Sequence, residues 1–150
     1  PVIANIDKTN DLQINRAIQI IEKHNNAKIG FLGLSFKPGT DDLRNSPAVN
    51  VIETLLGKGY DLSIYDKNVN LSKLTGTNKE YIEKKVPHLS RLMVNDLDTL
   101  INDCEVLVIN NKEKEFQEKL KQIDENKTII DMVRLDEDLL DKENYIGINW

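Results

Sequence analysis

Residues 28–66, KIGFLGLSFKPGTDDLRNSPAVNVIETLLGKGYDLSIYD, decide the fold. The stretch opens on residues 28–34, KIGFLGL, an apolar run whose length fits a buried strand. Ser46-Pro47 then reads as a helix start, with serine at the N-cap and proline at the first helical position, where its fixed φ suits the helix. Ala48, Val51, Ile52 and Leu55 recur on one face of that helix. Gly57-Lys58-Gly59 ends it, because glycine tolerates a left-handed backbone. Residues 61–66, DLSIYD, form a second strand. Strand, helix and strand together make a right-handed βαβ unit with parallel strands.

Working outward, residues 10–25 place Ile14, Ala17, Ile18 and Ile21 on one helical face, and Asn10 or Asp11 is placed to cap the start. The sheet does not need this helix for completion, so it reads as a lead-in from upstream. Residues 67–89 are the least regular part, with Gly76 and Asn78 as turn formers, a short helix over 78–85, and Pro87. The pattern then predicts a short strand at 91–94 and a helix over 96–103 with Asp96 at its N-cap. It continues with a strand at 105–110, EVLVIN, and a helix over 112–123 with Phe116, Leu120 and Ile123 on one face. A strand at 128–133, TIIDMV, and a last short one at 145–149 complete the series. Strands alternating with helices imply an α/β domain of three layers, a mostly parallel sheet covered on both faces.

The bulk numbers exclude several functions. The chain has 150 residues, of which 39% are hydrophobic and 30% charged, enough for one domain with a core of its own. Its net charge is −5, with no basic block, which argues against nucleic acid as the main partner. No apolar run approaches the ~20 residues of a membrane span, and no signal-peptide pattern opens the chain. One cysteine, Cys104, permits no internal disulfide and fits a reducing compartment, so a cytoplasmic location is expected. Because the first residue is Pro1 rather than Met, a fragment or processed product is expected. His24 and His88 have no partners at metal-ligand spacing, so no metal is predicted. The charged run at 111–121 reads as a solvated helix face.

In open α/β sheets ligands bind beyond the carboxyl ends of the strands, so the loop after the first strand is the candidate site. Gly30, Gly33 and Gly39 do not match the G-x-G-x-x-G spacing of a dinucleotide-binding turn. The loop offers side-chain charge instead. Lys37 is a flexible point cation suited to a phosphate or carboxylate oxygen. Arg44 is a planar fork suited to bidentate phosphate contact. Pro38-Gly39 sets a turn, and Thr40, Asp41 and Asp42 can bond the loop's own amides and orient the two cations. On composition alone a solvated loop with internal ion pairs competes with a ligand site. Asp66, at the end of the second strand, reads as a turn or cap residue in the absence of the glycine fingerprint.

GLSFKPGTDDLRNSP, residues 33–47, resembles the loop that opens the C-terminal domain of nucleotide-sugar 6-dehydrogenases, the UDP-glucose/GDP-mannose dehydrogenase family. GKGYDLSIYDKNV (57–69), TNKEYIEKKVPHLSRLMVNDLD (77–98) and the closing GINW (147–150) resemble its GDP-mannose 6-dehydrogenase branch. The resemblance covers nearly the whole chain. It implies a Rossmann-like nucleotide-sugar-binding domain over 27–150, preceded over 1–26 by the end of an inter-domain helix. It implies a parent that oxidises the sugar C6 alcohol to a carboxylate with two NAD, in a homodimer or larger assembly. The parent's NAD-binding domain and its catalytic cysteine would lie upstream of this chain. Cys104 is then not the nucleophile, this piece alone holds no catalytic residue, and it is expected to be inactive by itself. On the same resemblance Lys37 contacts the nucleotide-sugar substrate and Arg44 reaches across the cleft to NAD. Phe36 lies near either the sugar nucleotide or the core. Arg134, after the strand TIIDMV, matches an arginine common in the UDP-sugar members, although the local DMVR departs from their pattern. A UDP-sugar parent, or a nucleotide-binding module without catalysis, are the alternatives.

Overall fold

The computed structural model describes residues 2–24, 26–35, 43, 46–69, 79–80, 83–84, 86 and 89–148, with the backbone alone for 2–10. Among these residues five parallel strands form one sheet in the order β2-β1-β3-β4-β5. They are β1 (Ile29–Leu32), β2 (Leu62–Tyr65), β3 (Val106–Ile109), β4 (Thr128–Asp131) and β5 (Tyr145–Gly147). Strands buried on both faces need continuous apolar sequence, and β1 and β3 are buried at all four positions.

The period of two sorts these side chains into two cores. In register across the sheet, Phe31 lies beside Ile64 and Val108, and Val108 beside Ile130. This row faces α1 (Val2–Glu22) and α2 (Pro47–Gly57), where Ala17, Ile21, Val51 and Leu55 close over it. Leu32, Leu107, Ile109 and Ile129 point the other way, onto α4 (Leu97–Asp103) and α5 (Lys114–Leu120). Phe31 is fully buried, and truncation of such a side chain to alanine costs about 3–5 kcal/mol. The expected three-layer α/β architecture is therefore present.

Local features depart from expectation in four places. Helix α1 begins at Val2, so Asn10 and Asp11 lie inside it rather than at a cap. Ser46 holds the N-cap position of α2, but its side chain makes no capping bond. Residues 91–94 are not a strand: α3 (Leu89–Leu92) occupies the segment, and only Met93 bridges to Ile64. β2 is an edge strand, and among the described residues this bridge and the Val94 N–H to Ile64 carbonyl bond of 2.8 Å pair with its free edge. The helix expected over 112–123 is confined to α5, with Ile123 packed beyond its end.

The end of α2 is as read. Gly59 has φ of 85°, its N–H bonds the Leu56 carbonyl, and the Tyr60 N–H bonds the Leu55 carbonyl. This is the paired 5→2 and 6→1 closure of a Schellman motif, which turns the chain directly into β2. The described part of residues 79–84 is helical, as expected. Among the described residues no helix is long and apolar enough to cross a membrane.

Candidate functional site

The strand order reverses between β1 and β3, one neighbour leading to β2 and the other to β4. At such a reversal the connections leave in opposite directions, and a crevice opens at the carboxyl ends. Four segments meet at that edge: the residues after β1, the end of β2 at Asp66, Asn110-Asn111 after β3, and the turn after β4.

Leu34 and Ser35, the first residues past the β1 turn, are held from every side. Asp66 Oδ2 accepts the Leu34 N–H at 2.8 Å, the Ser35 N–H at 3.1 Å and the Ser35 hydroxyl at 3.3 Å. Its other oxygen accepts the Asn68 N–H at 2.9 Å, the Asx turn expected of this residue. The Leu34 carbonyl accepts from the Ser46 hydroxyl at 2.6 Å and from Asn110 Nδ2 at 3.1 Å. The Ser35 carbonyl accepts from Asn110 Nδ2 at 3.2 Å and from Asn111 Nδ2 at 3.1 Å. Asn110 Nδ2 also reaches Ser46 Oγ at 3.2 Å. These acceptors fix the direction of the Asn110 amide, and its buried Oδ1 has no partner among the described residues. An unpaired buried acceptor costs about 1–3 kcal/mol.

Glycine has two separate tasks here, and neither is a phosphate grip. Gly33 has φ of 95°. A Cβ at Gly33 would lie 2.5 Å from Asn111 Nδ2, so the residue must be glycine for the asparagine to approach. A Cβ at Gly30 would lie 2.5 Å from Leu100 Cδ2 and 3.0 Å from Cys104 Sγ, so this glycine seats α4 on the sheet.

An acidic and aromatic group flanks the edge. The Tyr65 hydroxyl donates to Glu115 Oε1 at 3.0 Å, and its ring meets Phe116 edge-on at 6.2 Å. Burial, then the Glu115 carboxylate, pushes the Tyr65 phenol up to about 12. Lys67 pairs with Glu113 at 3.3 Å, and Glu113 also accepts from Asn68 Nδ2 at 2.7 Å. Among the described residues no group of three or more His, Cys, Asp or Glu is arranged for a metal.

The residues singled out by sequence separate clearly. Lys37, Arg44, Phe36, Thr40, Asp41, Asp42 and His88 lie outside the described residues. Ser35 and Ser46 bracket the segment that carries Lys37 and Arg44, and both are buried. Arg134 does sit at the carboxyl edge, in a turn with φ of 55°. Asp131 holds that turn, accepting the Val133 and Leu135 N–H groups at 2.9 and 2.8 Å. With Lys112, Gln117, Asp136 and Asp138, Arg134 lines an open cleft of about 560 Å³. Its guanidinium lies 3.9 Å from Glu137. Cys104 is fully buried, and burial pushes its thiol up to about 11, the behaviour of a packing residue. His24 lies in the turn between α1 and β1, at the opposite, amino edge of the sheet.

Asn110 and Asn111 were not singled out by sequence. Their signal was legible in principle: two amides directly after the buried strand VLVI, at the carboxyl end where a site is sought.

Residues 30–137 match the sequence model described as the UDP-glucose/GDP-mannose dehydrogenase family, UDP binding domain. GDP-mannose 6-dehydrogenase of Pseudomonas aeruginosa is 44% identical over 133 residues, which is 89% of this chain and 30% of that protein. UDP-glucose 6-dehydrogenase 1 of Glycine max is 42% identical over 67 residues, 41% of this chain and 14% of that protein. A crystal structure of a ternary complex of GDP-mannose dehydrogenase from Pseudomonas aeruginosa superposes with a TM-score of 0.85 at 41% identity, covering 100% of this chain and 34% of that one. The chain thus spans about 30% of the length of the GDP-mannose 6-dehydrogenase that it matches.

Proposed function

The chain belongs to the UDP-glucose/GDP-mannose dehydrogenase family, and we propose that it is the C-terminal, nucleotide-sugar-binding domain of an NAD-dependent GDP-mannose 6-dehydrogenase. One observation carries the choice of branch. The GDP-mannose relative aligns over 89% of the chain, whereas the UDP-glucose relative aligns over 41% at similar identity. In this reading residues 27–150 are the domain, and residues 1–26 lead in from the rest of a cytoplasmic, oligomeric parent. The parent converts GDP-mannose to GDP-mannuronate, a four-electron oxidation at C6.

The described residues do not form a primary NAD site. The amides after β1 that a dinucleotide pyrophosphate would take already bond Asp66. The space beside Gly33 is filled by Asn111. NAD, which accepts the electrons, therefore belongs mainly to the remainder of the parent, together with the nucleophilic cysteine. This domain contributes charge across the cleft: Lys37 to the diphosphate of the nucleotide sugar, Arg44 to NAD. Both cations belong to the stretch of sequence between Ser35 and Ser46, two described residues at the carboxyl edge of β1, and a side-chain cation meets an anionic ligand without the glycine-rich grip.

The test is an assay of the full-length parent with GDP-mannose, UDP-glucose and UDP-N-acetylmannosamine, followed by NADH absorbance. A GDP-mannose preference is expected. Preference for a UDP-sugar would move the parent to the other branch, for which the 67-residue match to the Glycine max enzyme is the supporting observation. Failure to oxidise any of the three would leave a nucleotide-binding module.

A further inference from the structure

Of the buried polar groups in the molecule, the Asp66 carboxylate has the most telling surroundings. It is 5% exposed and lies at the carboxyl end of β2. In a dinucleotide-binding sheet the acid at this position faces a ribose, and the amides after β1 face a phosphate. Here the acid and the amides face each other. Asp66 Oδ2 accepts two consecutive backbone N–H groups and a hydroxyl, the donor set that a turn after β1 otherwise offers to a ligand oxyanion.

We propose that Asp66 acts as a built-in anion: its carboxylate takes the place of a ligand phosphate at the β1 turn and, with Asn110, Asn111 and Ser46, fixes the root from which Lys37 and Arg44 are presented. Asp66 is thus a positioning residue for nucleotide-sugar binding, an assignment that rests on the functional reading above. The bonding pattern is specific to such a role. At Leu34 and Ser35 both N–H groups go to one carboxylate, and both carbonyls go to side-chain donors from β3 and α2. The partners come from three different elements, so the root moves only if the sheet edge does. Asn110 keeps this arrangement although its own Oδ1 has no partner among the described residues. The consequence for ligand recognition is direct. With the turn's amides occupied, diphosphate charge falls to side-chain cations, and their placement depends on how firmly the root is held.

The experiment uses the full-length parent and its Asp66→Ala variant, with added formate as a probe that supplies a carboxylate. Two readouts are taken. The first is the KM for the nucleotide sugar that the unaltered parent oxidises, set against kcat. Loss of bonds to a charged group is expected to raise KM about tenfold or more, with kcat at saturation nearly unchanged, and formate is expected to lower KM again. The second is trypsin cleavage after Arg44; Pro38 protects the bond after Lys37. Cleavage is expected to accelerate in Asp66→Ala and to slow on adding formate. A folded Asp66→Ala protein with unaltered KM and unaltered cleavage overturns the proposal, as does a rise that formate leaves untouched. Should Asp66→Ala fail to fold, Ser46→Ala carries the test, since it removes the hydroxyl bond to the Leu34 carbonyl and the acceptor of Asn110 Nδ2 while leaving the Asp66 carboxylate in place. Faster cleavage after Arg44 in that variant, with higher KM, supports the assignment, and no change in either defeats it. If the unaltered parent oxidises no nucleotide sugar, the functional reading fails, while the cleavage readout still decides the role of Asp66.

Discussion

The side chain of Asn111 occupies the space that a Cβ on Gly33 would need: the ideal Cβ falls 2.5 Å from its Nδ2 and 2.7 Å from its Cγ. The same glycine has φ of 95°, where an L side chain is strained whatever the space around it. Two penalties therefore act together in Gly33→Ala, backbone strain and overpacking, and a loss of about 2–5 kcal/mol is expected. Denaturant unfolding of the single variants and of Gly33→Ala/Asn111→Ala separates them. The second substitution removes the collision but not the strain, so the double variant is expected to recover only part of the loss.

Gly30 presents the other half of the contrast, because its φ lies in the ordinary range and only the contact counts. Leu100 Cδ2 and Cys104 Sγ stand 2.5 and 3.0 Å from its would-be Cβ. Gly30→Ala is expected to destabilise the chain by about 1–3 kcal/mol by lifting α4 from the sheet. Leu100→Ala makes room, so the pair measured as a double-mutant cycle is expected to show a favourable coupling. Additive effects would mean that α4 shifts without resistance.

The reason for these glycines was the part least legible in the sequence. The strands were readable because β1 and β3 are short apolar runs between polar turns, and burial on both faces follows from that pattern. The helix α2 was readable from Ser46-Pro47 and from the glycines at its end. What joins the sheet edge was not. Asn110 bonds residues 64 to 76 positions earlier in the chain, and no local pattern encodes such a partner. Ser46 shows the same limit: its N-cap position was read correctly, but its hydroxyl goes to the Leu34 carbonyl instead of the helix. Asp66 was recognised as a turn former, while its bonds to Leu34 and Ser35 required the parallel pairing of β1 with β2 to be known. The cations Lys37 and Arg44 came from composition, position and family resemblance together, since loop charge alone does not distinguish a ligand site from a solvated loop.

Cys104 provides a pH prediction with a definite sign. Burial raises its thiol from the ordinary 9.0 to about 11 in the folded chain. On raising the pH past 9, the unfolded thiol loses its proton first, and the native state holds more protons until about 11. Stability is therefore expected to fall across that interval, and the fall is expected to be smaller in Cys104→Ala. Tyr65, raised to about 12, adds a decline of the same sign over a higher interval, which Tyr65→Phe isolates. A thiol reagent at neutral pH is expected to label Cys104 only after unfolding. Rapid labelling of the folded chain would contradict its burial under α4.

Lys37 and Arg44 are expected to divide their effects between two ligands. On the proposed reading, Lys37→Ala in the full-length parent takes a cation from the nucleotide-sugar diphosphate, and Arg44→Ala takes one from NAD. A charge-assisted bond contributes roughly 1.5–3 kcal/mol, which corresponds to roughly 10- to 100-fold in affinity. Lys37→Ala is thus expected to raise the KM for the nucleotide sugar with little change in that for NAD, and Arg44→Ala the reverse. Lys37→Arg tests the geometry further, because a planar fork does not replace a compact ammonium at a single oxygen. Initial rates over a grid of both substrate concentrations read the two KM values independently. An unaltered NAD dependence in Arg44→Ala would remove Arg44 from the cofactor side of the cleft, and an unaltered sugar dependence in Lys37→Ala would return the loop to an ordinary solvated surface.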